Sequence, residues 1–427
     1  MNKKTLIIVG AGFGGIHLAQ RLGKNKDLKV ILIDRRNHHL FQPLLYQVAT
    51  AGLSPAEIAT PIRSRVGVNK NTEVILGEVT DIDLQKKSIL VSVNEKLSSL
   101  SYDYLVLACG ANHQYFGNDA WEEHAPGLKT LEQAIEIRRR ILTSFELAER
   151  EPNESHRQEL LTFAVIGGGP TGVELAGALG EIKELFVGRE FSHITPEMTK
   201  IVLVEAMPRL LTSFSEDLSE KTRKDLEELG VNVMLNTKVK NITKDGVEIE
   251  QAGKTSFIPT STTMWAAGNK ASILNQKLGA ELDRQGRVIV SQDCSLPNHP
   301  DVFVIGDQAH FKGKDNQPLA PLAPVAIQQA KYLAQKLSQG TDKPFSYFDK
   351  GTMATIGRKK AIAEVPFFKK KLKFTDFIAW LMWLFIHLIF LIDLKNRVFV
   401  FWQWAWAYFT YKRGSRIITD YNWKLKP

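Results

Sequence analysis

The sequence predicts an α/β fold with two similar units of strand, glycine-rich turn and helix, followed by an apolar C-terminal region. Three observations carry this prediction. An apolar strand pattern at residues 5–10 leads into closely spaced glycines and then a helix pattern. The same order recurs at residues 163–181, and six of the eight tryptophans lie after residue 379. The chain of 427 residues is long enough for two or three domains of this kind.

The first unit contains a strand, four glycines, a helix and a second strand. Gly10, Gly12 and Gly15, with Gly14 beside them, allow a tight turn and a close backbone approach to a pyrophosphate. Asp34 ends the second strand, 19 positions after Gly15, where a carboxylate holds a ribose hydroxyl in a Rossmann unit. The order of these parts favours a Rossmann-type dinucleotide-binding domain over a plain strand–helix–strand unit with an exposed aspartate.

The stretch between the two units is less informative. Residues 37–65 are loop-rich with scattered apolar groups. A strand pattern that begins at Tyr104 runs into a turn of small residues that includes Ala108 and Gly110. Such a turn lets a backbone approach a cofactor, and a simple tight turn is the alternative. Residues 138–151 predict an exposed, charged helix.

The second unit repeats the glycine spacing of the first. Gly167, Gly169 and Gly172 follow an apolar strand, and Pro170 and Thr171 lie among them at the start of a helix. The free N–H groups and the positive end of the helix dipole at such a start attract phosphates. Because glycine turns between strands and helices are common, the repetition strengthens the prediction of a second dinucleotide site.

The acidic residue of the second unit is Glu205, at the end of a strand pattern at residues 200–204. Its distance from Gly172 exceeds the usual ~20 residues, which indicates an insertion at residues 180–199. A carboxylate in this place accepts a hydrogen bond from a bare 2′-hydroxyl and repels a 2′-phosphate. The sequence therefore predicts NADH rather than NADPH, and the nearby Arg209 is the residue that could weaken this preference.

Two later segments add to the predicted sites. A strand pattern ending at Trp265 runs into another small-residue turn, with Ala267 and Gly268. An apolar strand at residues 301–305 ends in Gly306 and Asp307. A carboxylate at the carboxyl end of a parallel strand points into the crevice where open α/β sheets bind ligands.

Composition excludes several classes of protein. The two cysteines, Cys109 and Cys294, are far apart, which argues against a disulfide framework, an iron–sulfur cluster with a full cysteine set and a CxxC redox pair. A reducing, cytoplasmic setting fits this usage. The first glycine loop begins at Gly10, so we expect no signal or transit peptide before it. No metal-ligand cluster is visible in the sequence, and we expect no metal.

The net charge of +9 is concentrated in the tail. Residues 369–427 contain eleven Lys or Arg and three Asp, so the rest of the chain is nearly neutral. This distribution argues against nucleic-acid binding by the body of the protein and favours a tail that meets anionic lipid. The basic residues are Lys369, Lys370, Lys371, Lys373, Lys395, Arg397, Lys412, Arg413, Arg416, Lys424 and Lys426.

Two apolar runs in the tail, residues 377–392 and 398–411, predict helices at a membrane surface. Their tryptophans are typical of a membrane interface. Both runs are shorter than the ~20 residues that span a bilayer, so we expect helices that lie in one leaflet. A packed C-terminal core, a dimer interface and a short transmembrane hairpin are the alternatives.

Taken together, these segments resemble the type II NADH:quinone oxidoreductases, single-subunit NADH dehydrogenases that do not pump protons. The resemblance runs nearly end to end. Beyond Asp34 and Lys359, it rests on these motifs, in the family's order: GAGFGGI (10–16), VIGGGPTGVELAG (165–177), WAAG (265–268), VIGDQA (304–309), VAIQQA (325–330) and IGR (356–358). The motif set is specific, although each motif alone is not.

The resemblance implies FAD as cofactor and NADH as substrate, with a hydride passing to the flavin and two electrons then passing to a membrane quinone. It also implies a homodimer on the cytoplasmic face of a bacterial inner membrane. The implied FAD residues are Gly10, Gly12, Gly14, Gly15, Asp34, Ala108, Gly110, Gly306 and Asp307. The implied NADH residues are Gly167, Gly169, Pro170, Thr171, Gly172, Glu205, Ala267 and Gly268.

The resemblance further implies catalytic roles for Glu174, Gln328 and Lys359, with Glu174 as a candidate for proton transfer. From its place in the sequence alone, Glu174 is an acid on the first turn of its helix, stabilised by the helix dipole. The implied quinone residues are Ala326, Gln328, Gln329, Lys359 and Ile362.

The chain departs from the family pattern at one quinone position. Many members have Ala-Gln-x-Ala-x-Gln, where this chain has Pro324 in place of the first glutamine. Because proline has no side-chain donor, a hydrogen bond from that position to a quinone carbonyl is lost.

The predicted domain boundaries follow from the motifs. Residues 1–115 form the first part of the FAD-binding domain and residues 116–290 the NADH-binding domain, whose Rossmann core starts near residue 160. Residues 291–340 complete the FAD-binding domain with the quinone-site helix. Residues 341–427 form the C-terminal region, with membrane-anchoring helices from about residue 370.

Of three other assignments, the sequence excludes the first and leaves the other two as alternatives. A disulfide reductase of the same fold would need a cysteine pair soon after Asp34, where there is none. A sulfide:quinone oxidoreductase-like flavoenzyme would need Cys109 and Cys294 to meet in space. A non-catalytic, NAD-sensing membrane flavoprotein would keep the nucleotide sites, but it would not need Glu174.

Overall fold

The structure is a computed structural model that describes residues 3–368, 370–410 and 414–419, apart from the side chains of residues 185 and 186. The helices are α1 Phe13–Leu22, α2 Leu45–Ala49, α3 Pro55–Ile58, α4 Ile62–Val66, α5 Leu131–Arg150, α6 Glu154–Leu160, α7 Pro170–Ile182, α8 Gly188–Glu190, α9 Glu216–Glu228, α10 Ala323–Gln339, α11 Asp376–Phe390 and α12 Leu394–Thr410.

The strands are mostly short, as is usual for α/β proteins. They are β1 Lys4–Val9, β2 Leu28–Asp34, β3 His38–Leu40, β4 Ala59–Pro61, β5 Thr72–Leu76, β6 Glu78–Asp83, β7 Ser88–Val93, β8 Lys96–Ser101, β9 Tyr104–Leu107, β10 Ala111–His113, β11 Thr162–Ile166, β12 Lys200–Val204, β13 Val231–Met234, β14 Thr237–Thr243, β15 Gly246–Gln251, β16 Lys254–Pro259, β17 Thr262–Trp265, β18 Asn269–Ala271, β19 Val288–Ile289, β20 Ser295–Leu296, β21 His299–Val304, β22 Ala309–His310, β23 Thr352–Gly357, β24 Lys360–Phe367 and β25 Lys370–Thr375.

The chain divides into two compact units, each made of three separate segments. The first unit contains Met1–Leu40, Ala59–Asn112 and Asn269–Asp349, and the second contains Phe41–Ile58, His113–Gly268 and Lys350–Pro427. These divisions differ from the predicted boundaries, because residues 41–58 and the C-terminal region join the unit of the second glycine loop. Compact units are not the same as cofactor domains, so the domain assignment remains a prediction.

The first unit is organised around a six-stranded sheet in the order β20-β21-β9-β1-β2-β5. β1 pairs in parallel with β2 on one side and with β9 on the other. Leu6, Ile7 and Ile8 are fully buried, as expected of a parallel strand that is covered on both faces. The strand order reverses between β1 and β9, and such a reversal opens a ligand crevice at the carboxyl ends of the strands. Gly10 and Ala108 lie at those ends.

The second unit repeats this arrangement with a four-stranded parallel sheet in the order β13-β12-β11-β17. Here the order reverses between β11 and β17, so Gly167 and Ala266 lie at the carboxyl ends beside the reversal. The unit also contains the antiparallel sheets β14-β15-β16 and β23-β24-β25. The predicted α/β class, with two Rossmann-type units, is confirmed.

The helix predicted at residues 138–151 was wrong in its extent and its exposure. α5 begins at Leu131, after Thr130 and Gln133 form a capping box. Ile137, Ile141 and Phe145 line a fully buried face, which packs against α2 and β17. Arg138 is itself buried, so the charged residues of this helix do not all lie on an exposed face.

The two predicted tail helices are present as α11 and α12. Within the described part of the chain, no helix has both the length and the apolar character needed to cross a membrane. α11 packs against β24, where Ala379 meets Ala361 and Ala363 in a small core. The predicted basic residues Lys369, Lys412, Arg413, Lys424 and Lys426 lie outside the described residues.

Candidate active site

The first glycine loop is closed tightly against the neighbouring strand. Gly10 has a φ of +99°, and a side-chain carbon there would lie 2.5 Å from the carbonyl oxygen of Ala108. No other residue type fits this backbone and this contact. Gly12 is the N-cap of α1, and no side chain hydrogen-bonds to the N–H groups of that cap. The loop therefore presents free donors at a helix start, which suits a pyrophosphate.

Asp34 is held beside this loop by backbone donors. Its Oδ2 accepts a hydrogen bond from the N–H of Ala11 (2.6 Å), and its Oδ1 accepts one from the N–H of Arg36 (2.7 Å). These bonds fix the carboxylate at the end of β2, next to the helix start. The position fits the ribose role that the sequence predicted.

A second turn of the first unit is tied to the same strand ends. Gly306 has a φ of +69° and donates its N–H to the Oε1 of Gln329 (2.7 Å). Gln308, which is fully buried, accepts the N–H of Cys109 and donates to the Oδ1 of Asn275 (2.7 Å). Gln308 thus links the turn after β9 to the turn that carries Asp307. No sequence pattern predicts this role of Gln308.

The glycines of the first unit leave open space that fits FAD. At Gly110 an added carbon would meet nothing within 4 Å, and at Gly12 only the Ala108 oxygen at 3.9 Å. Backbone N–H groups, open glycine faces and the Asp34 carboxylate are the donors and acceptors that a dinucleotide requires. Gly14 packs against Ile305, so its small size serves helix packing.

The predicted quinone residues of the first unit have mainly structural contacts. Gln329 is buried and holds Gly306, and Ala326 packs beside the same turn. The amide of Gln328 donates to the carbonyl of Phe348 (2.9 Å) and accepts its N–H (3.0 Å). Pro324 lies in the first turn of α10, where a proline is well placed because the N–H it lacks would have no partner within the helix.

The second glycine loop has the same backbone geometry as the first. Gly167 has a φ of +110°, and a side-chain carbon would lie 2.9 Å from the carbonyl of Ala266. Gly169 is the N-cap of α7, has no side-chain cap and is open on its Cβ side. Pro170 begins the helix. This loop is therefore a second site for a phosphate-bearing ligand.

Glu205 is positioned beside the second loop as Asp34 is beside the first. One carboxylate oxygen accepts the N–H of Gly168, and the other accepts the N–H of Met207 (2.7 Å). The guanidinium of Arg209 is used elsewhere: it donates to the carbonyls of Phe214 (2.7 Å) and Thr212 (2.9 Å). Arg209 is thus held by its own loop, so it is poorly placed to attract a 2′-phosphate.

Glu174 is the fifth residue of α7, so the expectation that it lies on the first turn was wrong. The helix begins at Pro170, and the first turn contains no acid. Burial raises the pKa of Glu174 to about 8, while interactions with the backbone of Thr355 and the indole of Trp383 oppose this shift. The indole N–H of Trp383 has no partner among the described residues at ordinary hydrogen-bond geometry.

Glu174 lines a cavity in the second unit with an empty volume of about 870 Å³, including its open mouth. The walls are mostly apolar and aromatic, as in sites that bind small organic ligands. Besides Glu174, they come from α2 and its following turn, from α7, from the end of β23 and from both tail helices: Tyr46, Gln47, Thr50, Gly52, Ala178, Glu181, Thr355, Ile356, Gly357, Arg358, Trp380, Trp383, Leu384, Trp404, Ala407 and Tyr408.

Lys359 and Ile362 are not among these cavity residues. Ile362 is fully buried in β24, where it pairs with Ala354. Lys359 is exposed at the turn before β24, with its Nζ 5.5 Å from the ring centre of Tyr408. Arg358 lines the cavity instead, with its guanidinium 4.3 Å from the same ring centre. The IGR motif thus reaches the cavity through its arginine.

The cavity also contains residues that the sequence did not single out. Tyr46 and Gln47 come from the segment that appeared loop-rich, and Trp404 and Tyr408 come from a predicted membrane helix. The tryptophan content of the tail is the available signal: it favours a lipid interface and leaves a packed C-terminal core as an alternative. α12 is in fact docked by polar contacts: Asn396 donates to the carbonyl of Ala56, and Gln403 donates to Glu57.

Both tail helices also carry exposed apolar side chains. Trp402 and Trp406 of α12 are 65% and 63% exposed, and Phe385 of α11 is 62% exposed. The predicted basic cluster is partly neutralised, since Lys371 pairs with Glu364 (3.1 Å) and Lys373 pairs with Asp217 (2.7 Å). The tail therefore has one face in the cavity and another that remains uncovered in the described structure.

Comparisons with known proteins identify the family. The model for pyridine nucleotide-disulphide oxidoreductases matches residues 4–330, and that for the NDH2 C-terminal domain matches residues 350–412. The chain is 39% identical to the type II NADH:quinone oxidoreductase Ndh of Mycobacterium tuberculosis, covering 98% of this chain and 91% of the relative. The chain belongs to the type II NADH:quinone oxidoreductases. NdhA of the same organism is 40% identical, covering 98% and 90% of the two chains.

Solved structures agree on the fold of this type II oxidoreductase. NDH2 from Plasmodium falciparum, in a complex with NADH, matches with a TM-score of 0.89 at 21% identity, covering 98% of this chain and 100% of that one. The sulfide:quinone oxidoreductase of Aquifex aeolicus matches with a TM-score of 0.72 at 19% identity, covering 95% of each chain. At these identities the likeness concerns the fold, and the assignment to the type II family rests on the sequence relatives.

Proposed function

We propose that this type II oxidoreductase transfers electrons from NADH to a quinone, with FAD as its cofactor. One observation carries the proposal within the second unit. α7 starts at a nucleotide-binding loop and, at its fifth residue, places the partly buried acid Glu174 in an aromatic cavity. One helix thus joins a dinucleotide site to a pocket for a flat organic molecule. The curated relatives are named for this reaction, and they do not favour the sulfide-dependent or non-catalytic alternatives.

FAD, when bound, would supply the hydride acceptor for NADH and the two-electron donor for the quinone. In the first unit, the backbone donors at Gly12 would bind the pyrophosphate, and Asp34 would hold the ribose of the adenosine half. Asp307, on the turn held by Gln308 and Gln329, is the proposed partner of the ribityl chain. Both cysteines are free of disulfides, and Cys294 is buried, which agrees with chemistry that needs no cysteine pair.

In the second unit, the start of α7 would bind the NADH pyrophosphate. The carboxylate of Glu205 would accept a hydrogen bond from the 2′-hydroxyl of the adenosine ribose. Ala267 and Gly268 follow the strand next to the loop, where a small-residue turn leaves space for the dinucleotide. Because Arg209 is held by loop carbonyls, the site is expected to prefer NADH over NADPH.

Glu174 is the proposed proton donor to the reduced quinone. A carboxyl group with a pKa of about 8 keeps its proton at neutral pH. Quinone reduction consumes two protons, and a protonated acid in an aromatic cavity can supply one of them. Gln328, Lys359 and Ile362 remain proposed quinone residues by family resemblance, although their described contacts are internal to the fold.

The exposed faces of α11 and α12 support peripheral binding to a membrane that contains the quinone. Aromatic side chains at the surface and nearby Lys395 suit the boundary between head groups and acyl chains. We place the enzyme on the cytoplasmic face of a bacterial inner membrane, as a homodimer. Replacing both Trp402 and Trp406 with Glu should release the protein from vesicles while quinone reduction in detergent persists. Retention of the double variant on vesicles would refute the role of α12.

The function is tested by two measurements on the purified protein. The protein should be yellow, with a flavin absorption band, and should oxidise NADH with a short-chain quinone. Sulfide should not replace NADH as the electron donor. A colourless protein, or one that is active with sulfide but not with NADH, would overturn the assignment.

A further inference from the structure

Gln47 is a polar side chain at the wall of the aromatic cavity, and its contacts fix its direction. It lies on the short helix α2, whose other four residues are buried, while Gln47 is partly exposed and lines the cavity. Its backbone carbonyl accepts the N–H groups of Gly52 (2.6 Å) and Leu53 (3.1 Å). The turn that follows α2 therefore holds the residue in place.

The amide of Gln47 is oriented by two ring-bearing neighbours. The indole N–H of Trp404 donates to its Oε1 (2.8 Å), and its Nε2 donates to the hydroxyl oxygen of Tyr46 (2.9 Å). An indole N–H can only donate, so the oxygen of the amide must face Trp404 and the nitrogen must face Tyr46. The Nε2 group has two hydrogens. Within the described residues, the second one has no hydrogen-bond partner.

An N–H group without a partner in an apolar cavity favours a ligand that carries an acceptor. The walls beside Gln47 include the indoles of Trp383 and Trp404, whose rings are 5.8 Å apart. Such surfaces stack on a flat conjugated ring. A planar ring with a carbonyl oxygen at its edge satisfies both features, and that is the chemistry of a quinone.

We propose that Gln47 donates a hydrogen bond to a carbonyl oxygen of the quinone ring and helps to select quinones over rings without a carbonyl. This inference rests on the proposed function of the cavity. Trp404 then has two roles, since it lines the cavity and sets the direction of the Gln47 amide.

A purely structural role for Gln47 makes a different prediction, because the Trp404–Gln47 bond also joins α12 to α2. If the bond serves only to join the helices, Gln47→Leu and Trp404→Phe should have the same effect. If Gln47 binds the quinone, Gln47→Leu should have the larger effect. Gln47→Met, which nearly preserves the length of the side chain and lacks the N–H donors, is a second variant if Gln47→Leu does not fold.

The experiment measures binding without turnover, by quenching of tryptophan fluorescence in the detergent-purified holoenzyme. One probe is a decyl-substituted 1,4-benzoquinone. The other is the dimethyl ether of its hydroquinone, which keeps the flat ring and the tail but has only poor acceptors. We expect Gln47→Leu and Gln47→Met to weaken binding of the quinone about 5-fold, the usual size of one neutral hydrogen bond, and to leave binding of the ether unchanged. Trp404→Phe should weaken quinone binding less than about 3-fold, since the amide remains.

The matched control is Gln42→Leu, an exposed glutamine on the same segment whose amide donates to the carbonyl of Lys129. It should bind both probes as the wild type does. NADH oxidation with ferricyanide, which bypasses the quinone pocket, should be unchanged in all variants. Equal weakening of both probes by Gln47→Leu, or equal effects of Gln47→Leu and Trp404→Phe, would overturn the proposal. A wild-type protein that binds neither probe would instead overturn the proposed function of the cavity.

Discussion

The two glycine loops are built alike, but the helices that follow them carry different ionisable residues. Gly10 and Gly167 occupy the same place, with positive φ and a carbonyl of the adjacent strand end close by. Asp34 and Glu205 each accept two backbone N–H groups at the end of the next strand. Seven residues after the first glycine, the first unit has His17 and the second has Glu174.

Burial favours the neutral form of both His17 and Glu174. It lowers the pKa of His17 to about 4, with smaller contributions from Arg21 and Arg65. It raises the pKa of Glu174 to about 8. At neutral pH, a neutral histidine has no proton to give up readily, whereas a neutral carboxyl group does. The same scaffold therefore yields a structural position in one unit and a proton-bearing position beside a cavity in the other.

The two loops are expected to bind different nucleotides, FAD at the Gly10 loop and NADH at the Gly167 loop. The variants with the largest expected effects test this assignment. Gly10→Val should remove bound flavin, because its side chain would overlap the backbone of Ala108. Gly167→Val should leave the protein yellow and abolish NADH binding. A cost of about 1.4 kcal/mol already weakens binding tenfold, and overlap with backbone costs more. Flavin absorbance and NADH titration measure the two outcomes.

The controls for the loop variants are glycines with positive φ and no close neighbour. Gly340→Ala lies in the first unit and Gly253→Ala in the second, and neither would contact another atom within 4 Å. Both should keep flavin and NADH binding. If Gly10→Val retained flavin and lost only NADH binding, the assignment of the two loops would be reversed.

The second prediction is that Glu174 contributes to quinone reduction and that its counterpart His17 does not. Glu174→Gln should slow quinone reduction about 100-fold, the lower range of what a general acid contributes. NADH oxidation with ferricyanide should persist, since that acceptor needs no proton from the cavity. His17→Gln should have little effect on either rate. Glu181→Gln, another acid that lines the cavity, is the matched control, and an equal loss there would count against a specific role for Glu174.

The third prediction concerns the pH dependence of the wild-type enzyme. Glu174 holds its proton below a pKa of about 8 and loses it as the pH rises through that value. Quinone reduction should therefore fall above pH ~8, by up to about tenfold per pH unit. Glu174→Gln should be slow but flat over the same range. A wild-type profile that stays level up to pH 9.5 would indicate that another group supplies the proton.

The sequence predicted best what depends on neighbouring residues. The glycine loops, their strands and the terminal acids were located correctly because a buried strand, a tight turn and a helix start leave local patterns. The exposure of α5 was predicted wrongly because its apolar face is covered by residues from α2 and β17, which are distant in the chain. Local charge could not reveal that contact.

The cavity was the least predictable part of the molecule. Gln47 and Trp404 are more than three hundred positions apart and meet only because α12 docks on the segment 41–58. The tail had an apolar, tryptophan-rich pattern that is shared by membrane-surface helices and cavity walls. Sequence periodicity does not distinguish a membrane-surface helix from a helix that lines a cavity. Only the structure shows that Trp404 and Tyr408 line the cavity. For the same reason, removing residues 370–427 would destroy the cavity as well as any membrane contact.

The last prediction tests the paired acids of the two loops, Glu205 and Asp34. Glu205→Ser removes a charge-assisted hydrogen bond to the ribose, worth about 1.5–3 kcal/mol, so the KM for NADH should rise about tenfold or more. The KM for NADPH should fall or stay constant, because the repulsion of a 2′-phosphate disappears. Arg209 should contribute little to NADPH binding in this variant, since its guanidinium is already bound to loop carbonyls.

Asp34→Ser is the matched control in the first loop. It should lower the flavin content and leave the ratio of NADH to NADPH use unchanged. If Asp34→Ser altered that ratio, or Glu205→Ser left it unchanged, the assignment of Asp34 to FAD and of Glu205 to NADH would be wrong.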